Sequence, residues 1–215
     1  MPLSLHGSPI SNYYNKVKLA LLEKGVGFVE VPTKFGAQDE DVRAASPLGK
    51  IPFVRLEDGR GLCESQVILE WLEAAHPQPA LLPADAYAAA KVRELATFID
   101  WHVEMSARQL YGMAYFGQPP LSEKNLARIR AELVQRIDGL RRLVRFAPFV
   151  AGESITLADC SAFVTLPLVG LTTRIAYGED LLLAGGVDYK PYMQFFGQRP
   201  SAQRVQADRK AALPK

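Results

Sequence analysis

IPFVRLEDGRGLCES, Ile51 to Ser65, carries the clearest local signal in the chain. Two apolar runs flank Asp58-Gly59, and such a pair between alternating runs marks a β-hairpin. The period then changes. In SQVILEWLEAAHP, Ser65 is placed as an N-cap, Val67, Ile68, Trp71, Leu72 and Ala75 recur at helical spacing, and Pro77 stops the run. The stretch predicts strand, strand, helix.

Working back toward the start, LSLHG alternates apolar and polar residues and meets Gly7, a short strand running into a turn. SPISNYYNKVKLALLEKG, Ser8 to Gly25, reads as a helix closed by Gly25, with Val17, Leu19, Ala20, Leu21 and Leu22 on one broad face. GFVEVPT alternates again and stops at Pro32; the polar segment after it holds one short helix around Asp39–Ala45. Residues 1–78 therefore read βαβαββα: a mixed α/β sheet with helices on its faces.

Working forward, HPQPALLPADA is proline-rich, and residues 79–85 read as a linker. Beyond it no strand signal of comparable quality occurs. Residues 86–215 predict an all-α domain of five or more helices, one with a stripe of Leu126, Ile129, Leu133, Ile137, Leu140 and Val144. In SAFVTLPLVGLTT, Pro167 and Gly170 predict a buried helix that bends or breaks near the proline. The basic tail RPSAQRVQADRKAALPK reads as a solvated last helix with a frayed end.

The chain has 215 residues, 48% hydrophobic, enough for a core without disulfides or metal. A net charge of +2 gives no reason to invoke nucleic acid or a membrane surface. The start lacks a basic and apolar leader, and no run reaches membrane-spanning length. Cys63 and Cys160 form no CxxC and read as free thiols in a reducing cytoplasm. His6, His76 and His102 are scattered, so neither a metal site nor a Ser-His-acid triad is indicated.

Three segments converge at one edge of the predicted sheet: Gly7–Asn15, SPLGKIPF, and Glu64-Ser65 at a helix start. A helix start offers unpaired N–H groups and partial positive charge. Ser11 and Asn12 at one start can donate to an anion; Ser65 at another can hold a carboxylate. Each could equally be a simple cap. Thr156-Leu-Ala-Asp159 has the form of a capping box, a structural role.

Taken together and in order, SPISNYYNKVKLALLEKG, SPLGKIPFV, ESQVILEWL, GESITLADCSAF and RPSAQRV resemble a cytosolic glutathione transferase of the bacterial, serine-type kind, over essentially the whole chain. The resemblance implies a thioredoxin-like N-terminal domain and an all-helical C-terminal domain that supplies an electrophile pocket. It implies a glutathione thiol activated as thiolate, with Ser11 as first donor and Asn12 and Tyr14 as competitors. It implies a cis peptide before Pro52, pairing of the Ile51 backbone with the glutathione cysteine, Lys50 near the glycine carboxylate, and Glu64 and Ser65 on the γ-glutamyl end. Candidate walls for a small hydrophobic electrophile between the domains are Ile10, Trp101, Met105, Gln109, Tyr111 and Met113, although Trp101 reads better as core. A cytoplasmic homodimer is implied, through Trp71 or FIDWHVEM. Glutathione-dependent disulfide reduction, isomerisation of a maleyl-type substrate, and a non-catalytic binding module of the same fold remain as alternatives. Against the isomerase stands Ser-Pro-Ile-Ser where that class has Ser-Ser-Cys.

Overall fold

The computed structural model describes residues 2–213. The chain divides into two compact units: residues up to Leu82 together with those from Gly197 on, and Pro83–Phe196. The break falls inside the expected linker. The last helix, however, belongs with the sheet and not with the helical unit, a departure from the boundary read from sequence.

The first unit follows the expected order: β1 (Ser4–Gly7), α1 (Asn12–Glu23), β2 (Val29–Pro32), α2 (Glu40–Ala45), β3 (Phe53–Arg55), β4 (Gly61–Cys63) and α3 (Ser65–Ala75). The sheet runs β2-β1-β3-β4, with β1 parallel to β2 and antiparallel to β3, and β3 antiparallel to β4. Leu5 pairs with Val54, and Val54 with Leu62, so these three share a face. Alternation puts Gly61 and Cys63 on the other face with Phe53 and His6. That face receives α2: a Cβ on Gly61 would lie 2.5 Å from Ala45 Cβ, so only glycine admits the helix so close. α1 packs against α3, and Val17, Leu19, Ile68, Leu69 and Leu72 are fully buried. At about 1.5–3 kcal/mol per buried aliphatic side chain, this cluster is a large favourable contribution to the stability of the unit.

The final helix, α11 (Pro200–Ala212), has proline in its first turn and packs on α1. The Arg199 guanidinium donates to both Glu23 carboxylate oxygens at 2.8 and 2.7 Å, and Ser201 also donates to Glu23. Further along, buried Lys18 bonds Asp208 at 2.5 Å. The expected solvated tail helix is thus docked, and two of its basic residues, Arg199 and Arg204, are spent on ion pairs. The segment after α3 is tied down as well. Lys24 donates to the carbonyls of His76 and Pro79, and Glu73 accepts from the Leu81 and Leu82 amides.

The second unit holds α4 (Ala86–Thr97), a π-helical segment (Phe98–Glu104), α5 (Met105–Arg108), α6 (Tyr111–Tyr115), α7 (Glu123–Leu143), α8 (Leu157–Tyr177), α9 (Leu181–Ala184) and α10 (Lys190–Phe196). The predicted stripe on α7 is buried at Ile129, Leu133, Ile137 and Leu140. α8 is the expected buried helix and runs through Pro167 unbroken, which sets aside the break among the two expected alternatives. Fourteen of its residues are buried, and that packing outweighs the hydrogen bond a proline removes. The Thr156–Asp159 capping box forms, with the Asp159 carboxylate accepting from the Thr156 and Val150 amides at 2.8 and 2.9 Å. Burial pushes the Asp159 carboxyl up to about 6 despite those bonds.

Candidate functional site

β-sheet register brings the three predicted segments to one end of the sheet. His6 pairs with Phe53, and Phe53 with Cys63. One step beyond that row lie Gly7, Pro52 and Glu64, where the first loop, the Ile51-Pro52 segment and the start of α3 leave the sheet. Contacts across the row are close. A Cβ on Gly7 would stand 2.6 Å from the Tyr14 ring and 3.3 Å from Ile51 Cβ, so the glycine lets α1 and Ile51 meet over the strand end.

Each segment is locally braced. In the first, Ser11 caps α1: its Oγ accepts from the Tyr14 amide at 3.3 Å. Asn15 Nδ2 donates to the Pro9 carbonyl at 2.7 Å and folds the loop back on the helix. In the second, Ser46 Oγ donates to the Lys50 carbonyl at 2.8 Å, and the Ile51-Pro52 peptide is cis, as the resemblance implies. Two further cis prolines, Gln78-Pro79 and Ala147-Pro148, had no sequence signal. In the third, Glu64 stands at φ +66°, ψ 111°, a conformation that costs a non-glycine residue about 1–3 kcal/mol. Glu64, not Ser65 as read from sequence, is the N-cap of α3, with Ser65 the first helical residue; Glu64 makes no capping bond with its side chain, so its carboxylate is left exposed beside the first amides of that helix.

The three predicted thiol donors differ in availability. Ser11 is half-buried, and since its oxygen accepts from an amide its hydrogen is left to donate outward. Asn12 is 3% exposed. Tyr14 is 1% exposed and its hydroxyl donates to Glu30 Oε2 at 2.6 Å, away from any incoming thiol. Burial, then the hydrogen bond and charge of Glu30, push that phenol far above its ordinary value, so it stays protonated. Tyr14 is therefore withdrawn as a direct donor. Lys50 and Glu64 are exposed, Ile51 and Ser65 half-buried, and Pro52 buried. Cys63 is a free thiol on the α2 face; burial and the neighbouring Glu64 push it up, away from reactivity.

The predicted wall residues divide. Ile10, on the first loop, is 43% exposed. In the second unit, Met105 is 39% exposed, Met113 is half-buried, and exposed Gln109 accepts from Arg128 at 2.9 Å. Tyr111 is instead core: 8% exposed, with its hydroxyl donating to buried Glu104 at 3.1 Å. Trp101 reverses the sequence reading. It is 67% exposed on the π-helical segment, whose wider turn faces Asp100 and Glu104 inward. Sequence reasoning also missed Glu30, Lys18 and Asp208, whose ion pairs join three elements around Tyr14. A lysine inside the apolar run of α1 was the available signal. Among the described residues, no three His, Cys, Asp or Glu side chains are grouped to hold a metal ion.

Comparison with known proteins agrees with this architecture. The model of the glutathione S-transferase N-terminal domain matches residues 5–80. A glutathione S-transferase from Pseudomonas putida F1 is 41% identical over 215 residues, 99% of this chain and 94% of its own. A glutathione S-transferase from Methylobacterium radiotolerans, solved with glutathione sulfonate, superposes with a TM-score of 0.75 at 26% identity, covering 95% of this chain and 94% of that one. A maleylacetoacetate isomerase from Anaeromyxobacter dehalogenans superposes with a TM-score of 0.70 at 28% identity over 99% of this chain and 98% of that one. The chain belongs to the glutathione S-transferase family.

Proposed function

We propose that the chain binds glutathione across the end of β1 and β3 and delivers its thiolate to a hydrophobic electrophile. The observation that carries this reading is the single row of strand ends from which the loop of the N-cap Ser11, the cis Ile51-Pro52 segment and the strained Glu64-Ser65 start of α3 leave the sheet. In this assignment Glu64 and the amide and hydroxyl of Ser65 hold the γ-glutamyl end, the Ile51 backbone pairs with the cysteine, and Lys50 faces the glycine carboxylate. Ser11 and the first turn of α1 face the sulfur. Ile10, exposed on the same loop, supplies apolar contact for the electrophile.

The chemistry asked of the site is modest. A thiol of pKa about 8.5 is only about 3% ionised at pH 7, and lowering that value by two units takes about 2.7 kcal/mol. One charge-assisted hydrogen bond contributes about 1.5–3 kcal/mol, and a helix N-terminus about 0.3–1. Ser11 as donor and the start of α1 supply this together; the serine attacks nothing. We take the protein to act as a cytoplasmic homodimer.

Isomerisation of a maleyl-type substrate is the second reading, favoured by the likeness to an isomerase over nearly the whole chain. It uses the same thiolate cradle and returns glutathione unchanged. Retention on immobilised glutathione followed by titration calorimetry tests the shared step. Binding that is weakened by Ser65→Ala is expected; a chain with no heat of glutathione binding at millimolar ligand would refute both readings. Consumption of glutathione by chlorodinitrobenzene, against its conservation with maleylacetone, separates them.

A further inference from the structure

Tyr14 touches two of the three segments of the site yet points its hydroxyl away from it. Its amide donates to Ser11 Oγ. Its ring lies against Gly7, where Ile51 also approaches. Its hydroxyl is held by Glu30 Oε2 at 2.6 Å, the same oxygen that Lys18 bonds at 2.6 Å. Lys18 lies one helical turn beyond Tyr14 and is 0% exposed; it also bonds Asp208 of α11 at 2.5 Å. Arg204 completes the group, 3.5 Å from Glu30 and 2.7 Å from Asp208. Pro9, in the loop that carries Ser11, lines a depression of about 360 Å³ with Glu30, Arg204 and Asp208. The charges balance at two cations and two carboxylates.

Such a network is not an economical way to stabilise a fold, since a buried ion pair roughly breaks even against apolar packing. What it does is leave Tyr14 a single orientation. The side chain cannot change its χ1 rotamer without breaking its bond to Glu30, and the backbone that carries the ring also carries the amide on Ser11. α11 is thereby joined to the first loop through Asp208, Lys18, Glu30 and Tyr14.

We infer that Tyr14 is a positioning residue for thiol activation: fixed by Glu30, Lys18 and Asp208, it holds the Ser11 hydroxyl at the angle that lets it donate to the glutathione sulfur. This rests on the assignment of Ser11 to the sulfur. It adds that the C-terminal helix, remote in sequence, sets the acidity of the bound thiol.

Tyr14→Phe keeps the ring and removes the bond to Glu30; Asp208→Asn weakens the hold from α11. The acid limb of kcat/KM with chlorodinitrobenzene, and the ultraviolet thiolate absorbance of bound glutathione, should move up by about half a pH unit in Tyr14→Phe, about a threefold loss of thiolate below the midpoint. Asp208→Asn should move both in the same direction by less. Affinity for S-methylglutathione, which has no thiol, should stay as in the parent. A lower melting temperature with an unmoved acid limb would mean a structural role only and overturn the inference. Amide exchange at Tyr14 without ligand provides a readout independent of glutathione. If the parent chain binds no glutathione, the proposed function fails first. Faster Tyr14 exchange in Tyr14→Phe then still supports the positioning of the loop, and an unchanged rate overturns it.

Discussion

Ser11 holds two roles that can be separated by choosing its replacement. As a cap it accepts one amide hydrogen, from Tyr14 at 3.3 Å, at the long end of hydrogen-bond distance. Losing a cap to alanine costs about 0.5–2 kcal/mol, and losing it to glycine only a few tenths. Because the Ser11 position is half-buried, water can reach the orphaned amide, and the alanine cost should fall near 1 kcal/mol. As a thiolate donor it contributes one charge-assisted bond, about 1.5–3 kcal/mol, which is about 10- to 150-fold in thiolate stabilisation. Ser11→Ala and Ser11→Gly should therefore lose conjugation alike, by roughly 10²-fold on the scale of one missing donor, while differing in stability by several tenths of a kcal/mol. Urea denaturation reads the stability difference. The pH dependence of kcat/KM, with the thiolate absorbance of the bound tripeptide, reads the loss of the donor. Ser11→Thr, which keeps the hydroxyl, should retain most activity. If alanine and glycine variants keep the parental rate and acid limb, Ser11 is only a cap, and the sulfur must be sought beside Asn12 or the first amides of α1.

Two further perturbations test the docking of α11. Burial alone would raise the Glu23 carboxyl, but hydrogen bonds from Arg199 and Ser201, with the Arg199 charge, hold it below the ordinary 4.5. Its folded pKa is therefore depressed, so its contribution is complete above about pH 4.5 and fades as pH falls through the lower native value; Glu23→Gln should lower the urea midpoint at neutral pH and flatten its decline toward about pH 3, and an acid limb identical to the parent's would be the contrary result. Lys18→Met removes the buried cation that Glu30 and Asp208 share and leaves them Arg204 alone; a fully buried pair would lose about 3–5 kcal/mol, but these carboxylates are 28% and 31% exposed, can recover water and keep Arg204, so about 2–3 kcal/mol is expected from chemical denaturation, and a neutral or stabilised variant would refute the account.

Most of the sheet-bearing unit was legible because its signals are local. An Asp-Gly turn between two apolar runs, alternation ending at Gly7 and Pro32, and a helical stripe after Ser65 each constrain only their neighbours, and the observed order β1 to α3 follows them. What sequence could not show depends on partners distant along the chain. Lys18 goes unread, since its partners Glu30 and Asp208 are brought to it only by the fold. Trp101 reads as core because large aromatics usually are, and the π-helical segment turns it outward. Pro167 reads as a bend or a break because the missing hydrogen bond is local, whereas the compensating burial of α8 is not. Within the site, the residue types were visible but not their states. Ser11 stands first on paper with Asn12 and Tyr14 as competitors, and burial and the bond to Glu30 are what then set Tyr14 apart.

The same distinction explains why the first helix begins with so many polar residues. Three of the front residues that face inward are committed: Asn15 through Nδ2 to the Pro9 carbonyl, Tyr14 to Glu30, and Lys16 to Gln66 at 2.8 Å, while Asn15 Oδ1 is buried without a hydrogen-bond partner. A buried polar group without such a bond would cost about 1–3 kcal/mol, so these residues persist only where the fold supplies partners, and the partners come from β2, α3 and the loop itself. Through those bonds the backbone of the first turn is fixed before any ligand arrives. A donor held in that way loses little freedom when a thiolate forms in front of it, and pre-organisation of this kind is what allows a single hydroxyl and a helix end to meet a requirement of about 2.7 kcal/mol.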